Sequence, residues 1–135
     1  MQGLFNIEST VSDITTWVRK AAANINGALL ELSSVTNTIT AGSTQTQAGA
    51  TGLGLGFSRV TSASANDGVR LPQSSGGGSV TIRNDSGAAI KVWPPLGWKI
   101  NDGTANAADT STLADNAARQ YQAIDVTNWY TVGNS

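Results

Sequence analysis

The sequence predicts a mainly β protein with an N-terminal helical, coiled-coil-like segment and an antiparallel sandwich or barrel head, assembled as a homotrimer. Three observations lead there: an apolar heptad through the first forty residues, short alternating segments broken by Gly, Asn and Asp turns after residue 51, and a side-chain inventory rich in uncharged polar groups. On this reading the 135 residues divide into an N-terminal anchor and helical stalk over 1–40, a linker over 41–51 and a β-rich head over 52–135.

The heptad comes first. Steps of three and four residues connect Leu4, Ile7, Val11, Ile14, Val18, Ala21, Ile25, Ala28, Leu32, Val35 and Ile39 without a break. That spacing is the a/d seam of a coiled coil. Leu4, Val11, Val18, Ile25, Leu32 and Ile39 take the a sites, and β-branched residues occupy d sites as well as a sites, which favours three or more strands over two. The expected trimer seam is Val11, Ile14, Val18, Ala21, Ile25, Ala28 and Leu32. Gly27 costs about 1 kcal/mol of helix propensity relative to Ala, so an interruption is expected there. The alternative is a single amphipathic helix, capped near Ser9 or Thr10 and ending near Ser33, packed on its own domain. Residues 33–40 are rich in Ser and Thr and fit an extended strand equally well.

Residues 41–51, AGSTQTQAGAT, contain no apolar side chain larger than Ala and read as a connector. Beyond them every acid is Asp, mostly in turn contexts such as Asn66-Asp67-Gly68 and Asn84-Asp85-Ser86-Gly87. Alternation in Val80-Thr81-Ile82-Arg83 and in Ile90-Lys91-Val92-Trp93 predicts a β-hairpin over 79–93 with its turn at 85–87. A second pair is expected between 119–126 and 129–132, and earlier strands over 53–62 and 69–71. If residues 52–57 form one strand, Gly52, Gly54 and Gly56 line one face and invite a close neighbour. Seven or eight short strands of this kind suit a sandwich or barrel.

Composition narrows the function classes. Charged residues are 13% of the chain, Lys and Arg number 8, and the net charge is −1. Phosphate neutralisation needs clustered cations, so nucleic acid is not an expected partner. Cys and His are absent, which removes thiolate and imidazole nucleophiles, Ser-His-Asp triads and Cys or His metal sites. No cofactor and no catalytic activity are expected. No apolar run approaches the ~18 residues of a membrane-spanning helix, and neither membrane insertion nor a targeting segment is read here.

Individual motifs are weak. Gly52-Leu53-Gly54-Leu55-Gly56-Phe57 lacks the spacing of a nucleotide cradle. Asp109, Asp115 and Asp125 form no locally fixed carboxylate pair or calcium loop. Ser74-Ser75-Gly76-Gly77-Gly78-Ser79 reads as a flexible loop tip, and Arg59, Arg70 and Arg83 as solvated strand positions. The candidate surface contacts are Trp93, Trp98, Asn101 and Asp102, where flat rings beside polar groups suit stacking on a sugar. The competing reading of the same residues is cover for one end of the barrel or a subunit interface.

Residues 39–53 (ITAGSTQTQAGATGL), Gly68-Val69-Arg70-Leu71-Pro72, residues 80–94 (VTIRNDSGAAIKVWP), the turn Ile100-Asn101-Asp102-Gly103 and Asn128-Trp129-Tyr130 together resemble a β-module of tailed-phage virion proteins. The resemblance spans roughly residues 39–133 and leaves the stalk outside. It implies a trimeric appendage or decoration piece of a phage head or tail fibre, without catalytic residues. The expectation is therefore a homotrimeric virion protein, assembled in the host cytoplasm, that docks on capsid or tail proteins as a decoration or head-fibre piece. The alternative is a tail-fibre or tail-tip receptor binder contacting host surface glycan.

Overall fold

A computed structural model describes residues 34–133. The seam residues Val11, Ile14, Val18, Ala21, Ile25, Ala28 and Leu32 lie outside the described residues. Within them the protein is mainly β, with nine strands and no helix. These are β1 (Ser34–Thr40), β2 (Thr51–Gly52), β3 (Gly56–Ser62), β4 (Gly68–Arg70), β5 (Ser79–Asn84), β6 (Lys91–Trp93), β7 (Lys99–Ile100), β8 (Ala118–Ala123) and β9 (Asn128–Val132).

The first six strands alternate between two sheets. β1, β3 and β5 lie parallel in a large sheet, and β2, β4 and β6 lie parallel in a small one. The chain thus coils three times, leaving one strand in each sheet per coil. Ser34, Gly56 and Val80 stand in register, as do Thr51, Val69 and Val92. Parallel neighbours need a crossover, usually a helix; here each small-sheet strand serves as the crossover. The large sheet then continues through antiparallel β8 and β9 and ends at β7, in the order β1-β3-β5-β8-β9-β7. It is a mixed sheet with more parallel than antiparallel pairings, which corrects the antiparallel expectation.

Inward side chains of both sheets meet in one core, centred on Val60, Val69, Leu71, Val80, Ile82, Ile90, Val92, Leu113, Tyr121 and Trp129. Burial of each large aliphatic contributes about 1.5–3 kcal/mol, and the strict alternation of β5 follows from it: Val80, Ile82 and Asn84 point in, Ser79, Thr81 and Arg83 out.

The pattern does not make 79–93 a hairpin. β5 pairs with β3 and β8, while β6 pairs with β4 in the other sheet. The cause is Asn84, a fully buried amide whose Nδ2 donates to the Ala88 and Leu113 carbonyls and whose Oδ1 accepts from Ser86 N–H and Oγ–H. These bonds fold residues 85–89 into a bend that carries the chain across the core. The second expected pair does form an antiparallel hairpin, β8 with β9, although β8 ends at Ala123 and residues 124–127 are the turn.

Residues 41–51 are not a free linker. Ala41 and Ala50 are buried, Gly42 and Gly68 exchange backbone hydrogen bonds at 2.8 and 2.9 Å, and Gln47 Nε2 donates to the Pro94 carbonyl at 2.8 Å. The β head therefore includes Ser34–Thr40 and the crossover after it, so its boundary lies earlier than residue 52. Residues 52–57 are likewise not one strand: Gly56, at a left-handed φ of 102°, turns the chain from the small sheet into β3.

The last two heptad positions fall on β1. A β-bulge between Thr36 and Ile39 reverses the side-chain alternation, so Val35 stands outside beside Phe57 while Ile39 enters the core beside Val60.

Candidate functional site

Strand registers place residues 53–55, 71–78, 94–98 and 124–127 at the end of the head where β1 begins. Backbone bonds from Gly77 N to Ala123 O (2.7 Å) and from Lys99 N to Thr127 O (2.9 Å) join these loops. The Ser74–Gly78 loop is folded onto this end, with Ser74 Oγ accepting from the backbone N–H groups of Gly76 and Gly78.

Exposed large hydrophobics gather at this end. Leu96, Ile124 and Val126 are 76%, 62% and 59% exposed in its loops, and Val35 is 65% exposed at the start of β1. Val35 begins a row across the outer face of the large sheet that continues through Phe57, Thr81 and Gln120 to Val132. At the other end, residues 63–67, 85–89 and 110–117 expose no apolar side chain larger than Ala. One end of the head is therefore apolar and the other polar. Single exposed hydrophobics carry little meaning, but a cluster marks a contact surface.

The four candidate surface contacts do not form one stacking platform. Trp98 is only 6% exposed and packs on buried Trp129, ring centroids 6.2 Å apart. Trp93 is half-buried, its indole edge against Gly68. Asn101 and Asp102 both adopt left-handed φ and pin their turn to β9. Asn101 Oδ1 accepts from Thr131 N–H at 3.0 Å, and Asp102 Oδ1 accepts from Asn128 Nδ2 at 3.0 Å and Tyr130 Oη at 2.6 Å. The rings cover one end of the core and the polar pair staples the turn.

Tyr130 gives a measurable consequence. Its hydrogen bond to Asp102 holds the phenol neutral and pushes its pKa up to about 12, while burial drives Tyr121 well above the usual phenol range. In the unfolded chain both ionise near pH 10, so above that pH the unfolded state loses protons first and stability falls as pH rises. An ultraviolet absorbance titration is expected to show no tyrosine ionising at pH 10 in the folded protein. Tyr130→Phe removes the transition near pH 12.

The aspartates are dispersed. Asp109 is buried and accepts from Tyr121 Oη at 2.7 Å and Arg119 Nη1 at 3.0 Å. Asp115 accepts from Gly87 N–H at the polar end. Asp125 lies in the 124–127 turn, where the Thr127 N–H holds its carboxyl below the ordinary range. Of the three arginines noted in the sequence, Arg59 and Arg83 converge on Asp85 at 2.7 and 2.6 Å and lower its pKa, Arg59 most strongly. Arg70 is on the small sheet and faces a groove with Gln47 and Gln73. Neither that groove nor the Asp109–Tyr121–Arg119 cluster was visible from local spacing, because the groove joins residues from separate coils and the cluster joins β8 to the long segment between β7 and β8.

No family model, curated protein or solved structure matches this chain.

Proposed function

We propose that this chain is a structural virion protein of a tailed phage: a homotrimeric capsid decoration or head-fibre protein that docks on the particle through its N-terminal segment. The observation that carries the reading is the heptad, nine apolar positions in unbroken order from Leu4 to Leu32, immediately ahead of β1 in the sequence. Its β-branched d sites favour three chains. The β head supports the reading with an apolar end at the point where the chain enters it. Its function is binding rather than turnover. Three joined chains hold a particle firmly with weak individual anchors, because after the first engages the others act at high effective concentration.

The test is electron microscopy of phage particles carrying this protein, labelled with gold-conjugated antibody against the β head. Label distributed over the capsid is expected. Label confined to the tail tip contradicts the capsid location, and unlabelled particles contradict a virion role altogether.

A further inference from the structure

The groove beside Arg70 has the makings of a site. Its volume is about 480 Å³, within the range of small-molecule sites. Leu53, Leu71, Pro72, Pro95 and Leu96 give it apolar walls, and Gln47, Arg70 and Gln73 supply polar groups. Arg70 Nη1 donates to the Gln47 carbonyl at 3.1 Å. Gln47 is itself fixed by its Nε2 on Pro94 O and Asn106 Oδ1, at 2.8 and 3.3 Å. The guanidinium is thus held by the crossover between β1 and β2 and by the segment after β6. Its other terminal nitrogen looks over Gly52, where a Cβ would stand 3.6 Å away. Glycine at this position leaves the groove open above the cation.

The electrostatics are unusual for this protein. Arg59, Arg83 and Arg119 each have a carboxylate within 3.0 Å, whereas Arg70 has no ion-pair partner among the described residues. A half-buried guanidinium in a concave setting is suited to bidentate recognition of a planar carboxylate. One cation matches one carboxylate charge; a phosphate dianion calls for more. The Gln73 carboxamide can pair with a hydroxyl, and the Leu and Pro walls suit the C–H face of a pyranose ring.

We propose that this groove binds an acidic sugar unit, its carboxylate on Arg70 and its ring against Leu71, Pro72 and Pro95. The site lies within one β head and does not depend on the trimer.

Isothermal titration calorimetry of the full chain tests it, with trigalacturonate, its methyl ester, and an acetylated tripeptide with a free C-terminal carboxylate as probes. Saturable binding of trigalacturonate is expected, weakening by about tenfold or more when the carboxylates are esterified, as the loss of a charge-assisted hydrogen-bond pair requires. Arg70→Gln is expected to lose binding to the same extent. Gly52→Leu, which keeps the guanidinium but fills the groove, also loses it, and Arg59→Gln on the large sheet retains it. If Arg70→Gln fails to fold, Gly52→Leu alone decides. No binding of trigalacturonate, equal binding of the ester, unchanged binding in either groove variant, or binding of the peptide alone overturns the proposal.

Discussion

Trp129→Ala is expected to destabilise the β head by about 3–5 kcal/mol, the cost of emptying a large aromatic site in a packed core. Trp129 is fully buried on β9, packs at a tilt of 33° against Trp98 with ring centroids 6.2 Å apart, and donates its indole N–H to the Pro72 carbonyl at 3.1 Å. It therefore ties the last strand to the segment between β4 and β5. Small domains have total stabilities of roughly 5–15 kcal/mol, so this one change consumes a large share. Urea denaturation followed by tryptophan fluorescence measures it. Trp129→Phe keeps an aromatic ring and loses the hydrogen bond, and its expected cost is about 1–3 kcal/mol, that of a part-buried carbonyl left without its donor plus the void of a smaller ring.

Asn84→Asp, a change of one terminal group, is expected to cost about 3 kcal/mol at neutral pH. A carboxylate accepts hydrogen bonds and cannot donate to the Ala88 and Leu113 carbonyls that the amide now serves. Each carbonyl keeps one other donor, Ile90 N–H at Leu113 (3.0 Å) and Ser86 Oγ at Ala88 (3.2 Å), but both now face a buried negative charge, and losing bonds at a buried charged group costs at or above the top of the range of about 1–3 kcal/mol for a neutral one. Burial raises the pKa of such a carboxyl above its unfolded value, so the folded form gains stability as pH falls and the group protonates. Denaturation midpoints at pH 7 and pH 4 check this. The deficit relative to the parent protein is expected to shrink at the lower pH; a deficit independent of pH would show that shape rather than charge governs the site.

Much of the head was legible residue by residue. The alternation of Val80 with Ile82 and of Ile90 with Val92 marked strands and their buried faces, and the β8–β9 hairpin followed from two apolar runs around a short polar turn. Pairing was less legible. Alternation records which face is buried and is silent about the neighbour, so β5 and β6 looked like a hairpin although they belong to different sheets. The three-coil repeat was hidden because its spacing varies: Gly56 and Val80 are further apart in sequence than Ser34 and Gly56. The heptad continued numerically through Val35 and Ile39 because a β-bulge set one outside and the other inside, a coincidence of spacing with no helical meaning at those two sites.

The candidate contacts followed the same logic. Trp98 and Trp129 are far apart in sequence and meet only once β7 and β9 pair. Asn101 and Asp102 were recognisable as turn residues, and their left-handed φ values account for that choice. Arg70 gave no local signal. Its groove exists because the β1–β2 crossover brings Gln47 against β4.

The central proposal is that three chains associate through the N-terminal heptad. Light scattering of the intact protein tests it most directly, beside a Val11→Asp, Val18→Asp double variant that places charges in the expected seam. The expected mass is three times the 13.8 kDa of one chain, falling toward a single chain in the variant while the β-sheet circular dichroism signal is retained. A monomeric parent protein, or a trimer indifferent to both aspartates, would contradict it.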